Sequence, residues 1–504
     1  MIEIKKIIMC ISCLLTFMHT YAQPELNIRG VVNKKINSID ENQSITITGF
    51  GSDESGGAHL KITPVGKENK IGFSSVKNLS FKIGSISEFW KVQALKEDVY
   101  YNLAKNGYQY NTRIQLEEEA LQAIDYYKSR GLLFEDDYLE SYLYSLVLRL
   151  FPDQMRDGRP GIINVKILRD LNPNACVYPN GTLFISTGLI STINTEEELM
   201  GVLAHEISHF ALDHSIINYN KAVQRQKRAE FWAGFAAVAG AVADGYLGSK
   251  NPYYNSNSIS ILSTVLAYSI AISINERLGL KFSRDQETAA DKSAVEIMKF
   301  IKIRHTALSS AFSKLKTYFT YTGNYMALSG EGTHPAIDER IKAIGFEGEF
   351  GVDKSYDKKI SLVNTYMSKL EFFNRHFESS MNLIKRNINQ LMATEEDYVL
   401  LAKSYLYMHD SEEKNLEALS FISKAKTINA IPCIDLYKTE ALVLLRLGKK
   451  EEAKNSLLKY KSLLETNYTG KPIVTTSEIA YNCDDFICKE LDWVAKMIFK
   501  IKQL

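Results

Sequence analysis

The chain has 504 residues, of which 45% are hydrophobic and 24% charged, a composition typical of globular proteins. Its 60 Lys and Arg residues balance 59 Asp and Glu, so the net charge of +1 gives no basic surplus and disfavours nucleic acid as a partner. Six cysteines are too few for a disulfide-built scaffold, and the length predicts about three domains.

The amino terminus has the pattern of a secretory signal peptide. Two lysines precede a short apolar run at 7–18, and Ala22 completes a small-residue cleavage site. This predicts that residues 1–22 are a signal peptide and that the protein is exported, either periplasmic or secreted. An uncleaved anchor, for which the run is short, and a lipoprotein acylated at Cys13 remain alternatives.

Short alternating runs of apolar and polar residues fill 23–90, separated by Gly, Asn, Asp and Ser. They predict a small antiparallel β module without catalytic residues. The elements predicted after it are, in chain order, helices at 115–127 and 138–151, strands at 163–168, 175–178 and 182–186 with a turn at 179–181, and mostly helices over 195–345.

The last part of the chain, 355–504, is predicted to be helical throughout. Ala418 and Ala425 lie seven residues apart, as do Ala453 and Tyr460. Such recurring positions are typical of tetratricopeptide repeats, in which helix pairs stack into a solenoid. An ordinary helical bundle is the alternative. In the tail, Cys483 and Cys488 are expected either to form a disulfide or to stay as buried thiols.

The sequence His-Glu-Ile-Ser-His at 205–209 contains the candidate metal-binding and catalytic residues. Thr195 and Glu198 fit a capping box that starts its helix, and four-residue spacing puts His205 and His209 on one face. Two imidazoles at this spacing can bind one tetrahedral zinc. The adjacent Glu206 can take a proton from water at that metal.

A catalytic zinc needs a third protein ligand. Leu212 and Ser215 occupy the positions where the metzincin pattern has a glycine and a histidine, which excludes that class. His214 is one place off and is expected to contact the site without ligating the metal, or to lie on the surface.

A carboxylate from another helix is the remaining source of the third ligand. Ser283 and Gln286 fit a second capping box, and Glu287 and Asp291 share a face of the helix that follows. Glu287 can ligate the metal while Asp291 hydrogen-bonds a ligand histidine. From spacing alone, a solvated Glu287 favoured by the helix dipole is an equal alternative.

The stretch Ser-Arg-x-x-Glu-x-x-Ala-Asp at 283–291, downstream of the paired histidines, resembles the CAAX prenyl protease and HtpX heat-shock protease family of zinc metallopeptidases. Three further stretches between 172 and 345 match this family in order: Asn174-Ala175 with the turn at 179–181, Thr187-Gly188-Leu189, and His334-Pro335 followed by Arg340. The resemblance implies one zinc per chain held by His205, His209 and Glu287, with Glu206 as general base and with Asp291 and Arg340 supporting the ligands.

The resemblance also implies a substrate-docking edge strand, whose residues here are Asn174, Ala175, Cys176 and Val177. An edge strand can pair with an extended peptide through backbone hydrogen bonds. It further implies that His334 reaches the active site. There it either donates a hydrogen bond to the oxyanion or fills the fourth zinc position as an inhibitory plug, and packing against Pro335 is the third alternative.

These features predict a mainly α protein with a small β part. Its expected organisation is a signal peptide at 1–22, a β module at 23–90, a gluzincin-type zinc metallopeptidase domain at 91–350 and a tetratricopeptide-like α-solenoid at 355–504. The expected function is that of an exported zinc endopeptidase acting on misfolded or assembling envelope proteins. A chaperone or assembly factor acting mainly through the repeats is the alternative, and an enzyme for lipidated peptides is a weaker one.

Two uncharged segments, 231–243 and 259–274, are shorter than the roughly 20 residues that span a bilayer. They predict helices that wall the site or make peripheral contact with a membrane surface, and a membrane-inserted hairpin is the alternative. The expected partners are protein or peptide substrates and, through the repeats, envelope assembly machinery. The exported, repeat-bearing arrangement resembles periplasmic peptidase–chaperones of the family, from which the β module departs.

Overall fold

The computed structural model of the protein describes residues 26–52, 58–67, 70–100, 109–152, 162, 164–224, 282–324, 328, 336–429, 433–467, 473–474, 479–480 and 486–503. The predicted signal peptide, the two uncharged segments, His334 and Cys483 lie outside these residues. The prediction of a mainly helical protein with a small strand part is confirmed.

A five-stranded antiparallel sheet occupies the first part of the described chain. Its strands are β1 (Ile28–Val32), β2 (Ser44–Ser52), β3 (Ala58–Pro64), β4 (Gly72–Ser74) and β5 (Leu79–Phe81), in the spatial order β4-β3-β2-β1-β5. Alternate apolar side chains such as Ile45, Ile47 and Ile62 are fully buried on one face. They share a cluster with Leu95 and with Leu212, so the sheet packs against the end of the helix that carries the paired histidines.

Three helices follow this sheet: α1 (Ile86–Lys96), α2 (Gln109–Ser129) and α3 (Asp137–Leu150). The Ser85 side chain accepts a hydrogen bond from the amide of Glu88 and so caps α1. Trp90 of α1 is fully buried and donates its indole N–H to the carbonyl of Leu150 at 2.8 Å. This bond ties α1 to α3.

A second, three-stranded sheet lies beside the paired histidines. It contains β6 (Asn164–Leu168), β7 (Ala175–Val177) and β8 (Thr182–Ser186) in the order β6-β8-β7. Strands β7 and β8 form the predicted antiparallel hairpin, and Gly181 in its turn has a φ of 82°, which glycine adopts without strain. Strand β8 pairs with β6 in parallel, which leaves β7 at the edge.

The helices around the site are α4 (Thr187–Thr192), α5 (Glu196–Ala211), α6 (His214–Gln224), α7 (Arg284–Phe300), α8 (Thr306–Thr322) and α9 (Ile337–Ile344). Both predicted capping boxes are confirmed, at the start of α5 and of α7. Helix α5 packs against α7, α8 and β7. A Cβ at Gly201 would lie 2.9 Å from the Cα of Leu308, so only glycine permits this approach of α5 to α8.

The remaining elements are α10 (Lys354–Lys359), α11 (Ser361–Phe373), α12 (Phe377–Asn389), α13 (Glu395–Met408), α14 (Glu412–Ala425), α15 (Ile434–Arg446), α16 (Lys450–Asn467), the short strands β9 (Ile473–Val474) and β10 (Ile479–Ala480), and α17 (Phe486–Gln503). The antiparallel pair of β9 and β10 shows that the expectation of helices throughout 355–504 is wrong there. We refer to α10–α17 as the helical arm. Its helices pack as the consecutive pairs α11–α12, α13–α14 and α15–α16. Ala402, Ala418 and Ala425 are fully buried between them. Cys488 is disulfide-bonded, whereas Cys176 and Cys433 form no disulfide.

The core around α5 continues into the arm. Tyr356, Val363, Met367 and Leu383 belong to the same buried cluster as the apolar side chains of α5. Tyr356 also donates its hydroxyl hydrogen to the carbonyl of Ile190 at 2.8 Å. The first helices of the arm are therefore packed into the same core as the helix of the paired histidines.

Among the described residues, none of the helices is both long enough and apolar enough to cross a membrane.

Candidate metal site

The first turn of α5 is fixed by a buried ion pair. Glu198 closes the capping box by accepting from the amides of Asn194 and Thr195. Its other oxygen accepts from Ser310 and Lys314 of α8, and both charged residues are almost fully buried. Since a helix is rigid, anchoring its first turn also fixes the direction in which the histidines two to three turns later point.

Three potential metal ligands converge between α5 and α7. His205, His209 and Glu287 are only 1–3% exposed. The Nε2 atoms of the two histidines lie 3.1 Å apart, and the Glu287 carboxylate oxygens lie 3.4 Å from Nε2 of His205 and 3.6 Å from Nε2 of His209. Ligand atoms bound to one tetrahedral zinc at about 2.0–2.2 Å are separated by about 3.3–3.5 Å. The three side chains therefore fit a single zinc ion.

A carboxylate and a guanidinium orient His205. Its Nδ1 lies 2.8 Å from Oδ1 of Asp291, one turn after Glu287 on α7. Arg340 of α9 donates to both oxygens of Asp291, at 2.9 and 2.7 Å, and lies over the Phe312 ring at 4.0 Å. The contact to Asp291 favours the tautomer with a proton on Nδ1, which leaves the Nε2 lone pair of His205 for a metal.

The same charges shift two pKa values. Burial raises the pKa of Asp291, but Arg340 and His205 outweigh it and hold that pKa well below the usual range. Burial and the Arg340 charge lower the pKa of His205, yet Asp291 and Glu287 outweigh both and raise it to about 9. Without a metal, His205 is therefore a cation among carboxylates, and an ion that binds must displace its proton.

Different neighbours hold His209. Phe282, directly before the cap of α7, stacks on its ring with a centroid distance of 3.7 Å and an interplanar angle of 16°. Its Nδ1 lies 2.9 Å from Nδ1 of His214. His214 was expected either to contact the site or to lie on the surface. The structure shows the contact, with the His214 side chain buried beside His209.

Glu206 lies on α5 between the two histidines and is 5% exposed. Burial raises the pKa of the Cys176 thiol well above its usual value, and the charge of Glu206 raises it further. The charge of Glu206 also contributes to the raised pKa of Arg340. Glu206 thus lies close enough to β7 and to Arg340 to interact electrostatically with both.

Strand β7 lies at an edge of its sheet, and its three residues are buried. The carbonyl of Asn174 accepts from Ser186, and the amide of Tyr178 donates to Thr182. Because paired positions alternate in an antiparallel ladder, the backbone N–H and C=O groups of Ala175 and Val177 face away from β8. This geometry suits pairing with an extended peptide.

A cavity of about 460 Å³ adjoins the site between α7 and α9. Glu287, Asp291 and Arg340 line its inner end, and Lys292 and Glu339 lie among its other lining residues. The carboxylate side of the ligand set therefore borders this cavity.

The sequence analysis named six site residues, and the structure brings their side chains together: His205, Glu206, His209, Glu287, Asp291 and Arg340. His334 lies outside the described residues. The roles of Phe282 and Phe312, which pack on His209 and Arg340, were missed, and the only signal was that Phe282 directly precedes the cap of α7.

The model of peptidase family M48 matches residues 139–346 of the chain. Over 210 residues the chain is 28% identical to a protease HtpX homolog of Dictyoglomus turgidum, covering 37% of this chain and 64% of that protein. Over 159 residues it is 29% identical to the metalloprotease YcaL of Escherichia coli, covering 32% and 52%.

A third relative is a putative beta-barrel assembly-enhancing protease of Vibrio cholerae. It is 26% identical over 209 residues, which cover 42% of this chain and 39% of that protein. The chain thus spans less than two thirds of the length of each of these relatives.

Proposed function

We propose that this chain, whose residues 139–346 form a peptidase family M48 domain, is a zinc-dependent endopeptidase. The observation that carries the proposal is the convergence of His205, His209 and Glu287 in zinc-ligand spacing, with Glu206 on the same buried helix. The match to the family model covers all four residues.

The residues of the chain have separate tasks in this proposal. Zinc, when bound, supplies a Lewis acid that polarises the peptide carbonyl and makes water more acidic. Glu206 takes the proton from the attacking water and passes it to the leaving amine. The outward backbone groups of Ala175 and Val177 align the substrate as an added strand. Asp291, held by Arg340, keeps His205 in the tautomer that a metal requires.

His334 is proposed to act on the same site, as an inhibitory plug or as an oxyanion donor. Kinetics of His334→Ala separate the two roles. Loss of a donor lowers turnover about 10²–10³-fold with zinc retained, whereas loss of a plug raises basal cleavage. Unchanged turnover would reject both roles and leave a packing residue.

The helical arm is proposed to be a tetratricopeptide-like solenoid that binds protein substrates. Support comes from its consecutive helix pairs with fully buried small side chains such as Ala402 and Ala418. The signal pattern at 1–22 and the name of the Vibrio cholerae relative support export and substrates among misfolded or assembling envelope proteins.

The test combines metal analysis with hydrolysis of an unfolded protein and of short peptides. The purified chain should bind one zinc and cleave both. Glu206→Gln should keep the zinc and lose cleavage, because it removes a base and no ligand. Glu197→Gln, the same change on the exposed side of α5, is the matched control. A zinc-free wild-type protein, or full activity of Glu206→Gln, would contradict the proposal.

A chaperone or assembly factor is the second candidate. It is favoured by exposed aromatic side chains on the arm, Tyr407 at 64% and Phe373 at 45%. If this function dominates, Glu206→Gln should still suppress aggregation of an unfolded client protein as well as wild type does. Replacing Tyr407 and Phe373 with Ser should then abolish that suppression.

A further inference from the structure

The two histidines of the metal site are held by unlike partners. His205 contacts the carboxylate of Asp291, the kind of partner that commonly orients a metal-ligating histidine. His209 instead contacts another imidazole, that of His214, with 2.9 Å between the two Nδ1 atoms. Both rings are buried, and Phe282 stacks on the face of His209.

The direction of this hydrogen bond follows from the metal site. Nε2 of His209 is the nitrogen that faces His205 and Glu287, so a metal would take its lone pair. A neutral imidazole with Nε2 on a metal carries its proton on Nδ1. Nδ1 of His209 must then donate, and Nδ1 of His214 must accept.

We propose that His214 is a positioning residue that fixes the tautomer and ring orientation of His209 for metal binding. The inference rests on the proposed zinc site. In the described part of the chain, the ligand group comprises His205, His209 and Glu287 and does not include His214. His214 faces the opposite nitrogen of His209, so it acts through that histidine.

A break in the backbone brings His214 to this position. In a continuous helix, residues five apart point about 140° away from each other, so His214 could not face His209. Helix α5 ends at Ala211, and Asp213 adopts a left-handed conformation with a φ of 51°. Helix α6 then starts at His214, after this interruption.

An ion pair with a residue outside the region matched by the family model stabilises the turn between α5 and α6. The buried Asp213 carboxylate accepts from Arg113 of α2 at 2.9 Å. Arg113 precedes residue 139, where the match to the family model begins. Helix α2 therefore supports the turn that presents His214 to His209.

Charge balance explains why a neutral hydrogen-bond acceptor is favoured at position 214. Glu206, Glu287 and Asp291 carry three negative charges in the buried site, and Arg340 with a divalent metal carries three positive charges. A second supporting carboxylate at position 214 would leave an uncompensated buried negative charge, which is costly. Imidazole accepts the hydrogen bond without adding that charge.

The test measures zinc affinity of the metal-free full-length protein by competition with a chromophoric chelator. His214→Phe keeps a ring but removes the acceptor, and we expect zinc to bind about 10–100-fold more weakly. His214→Asn places an amide oxygen near the position of Nδ1 and should bind zinc within a few-fold of wild type. His305→Phe, the same change at a half-buried histidine at the start of α8, is the matched control.

A second variant tests the inference independently, in case His214→Phe does not fold. Arg113→Met leaves both imidazoles in place and removes the brace on Asp213, so we expect a several-fold weaker affinity for zinc. Thermal unfolding and circular dichroism of each metal-free variant establish that it is folded.

Each outcome has a defined meaning. Wild-type affinity of His214→Phe, or equal losses in His214→Asn and His214→Phe, would overturn the inference, the second because it indicates packing instead of hydrogen bonding. Either result leaves the proposed peptidase standing if the wild type binds zinc and cleaves. A wild-type protein that binds no zinc would overturn both.

Discussion

The metal site and the helical arm use charged side chains in opposite ways. In the arm, opposite charges pair across neighbouring helices, as in Lys403–Asp435 at 2.6 Å and Lys438–Glu490 at 2.5 Å. In the site, three carboxylates and two histidines are buried around a single point, with Arg340 as their neighbouring cation. These two arm pairs are each formed by one cation and one carboxylate, whereas the site gains from a bound cation. This difference distinguishes charges that stabilise packing from charges that serve a metal.

The largest expected effect tests the site through its base. Glu206→Gln should lower the turnover number by about 10²–10⁴-fold, the usual contribution of general-base catalysis, with zinc content unchanged. Steady-state cleavage of a short fluorogenic peptide and metal analysis on the same preparation measure both quantities. A drop in zinc content that parallels the loss of activity would mean that Glu206 supports the ligands instead.

The next effect concerns the ligand set. Glu287→Ala should weaken zinc binding by more than the about 10–100-fold that loss of an outer contact costs, because it removes one of three ligands. Asp285→Ala, an exposed carboxylate in the same first turn of α7, is the control and should bind zinc as wild type does. Normal zinc content in Glu287→Ala would contradict the assignment of Glu287 as the third zinc ligand.

The pH dependence of zinc affinity sharpens the comparison. The folded, metal-free protein holds a proton on His205 up to about pH 9, against about 6.5 for an ordinary histidine. Zinc must displace that proton, so its affinity should rise from about pH 6.5 to 9 and then level off. The same proton stabilises the metal-free fold fully below pH 6.5, and this contribution is lost as the pH rises through 9. Chelator competition and thermal unfolding across this range measure the two trends, and a flat affinity profile would contradict the shift.

Truncations separate the arm from the site. Removing residues 391–504 should spare cleavage of short peptides and lower cleavage of an unfolded protein several-fold, since only the latter needs an extended binding surface. Removing residues 355–504 should instead destabilise the whole protein, because it strips Val363, Met367 and Leu383 from the core of α5. An equal loss of cleavage of both substrates after the shorter truncation would mean that the arm only stabilises the fold and does not bind protein substrates.

The smallest effect is expected for the ion pairs of the arm. Burial raises the pKa of Asp435, but Lys403 and Lys438 outweigh it and lower that pKa, so the carboxylate is charged and paired at neutral pH. Lys403→Met should lower the free energy of unfolding by about 1 kcal/mol or less without changing zinc affinity. Urea denaturation measures the first quantity, and an altered zinc affinity would show that the arm is coupled to the ligands.

Local patterns were enough to predict the parts of the site that depend on spacing. The capping residues Thr195 and Ser283 set where α5 and α7 begin, and four-residue spacing sets which side chains share a face. One feature was left open and another was missed, because both depend on packing between distant segments. Spacing left open whether His214 contacts the site; it reaches His209 across a turn at Asp213, which accepts a hydrogen bond from Arg113, one hundred residues earlier. Likewise, helical periodicity cannot reveal that Val363 enters the core of α5.

The continuous core beneath α4, α5 and the first helices of the arm has a thermodynamic consequence. Segments that share one core tend to unfold together, so the site and the start of the arm form one cooperative unit. A ligand that binds only the folded state stabilises the whole of such a unit. Zinc at His205 and His209 should therefore raise the melting temperature of α11 and α12. By the same linkage, a client protein held on those helices should protect the backbone amides of α5 from hydrogen exchange.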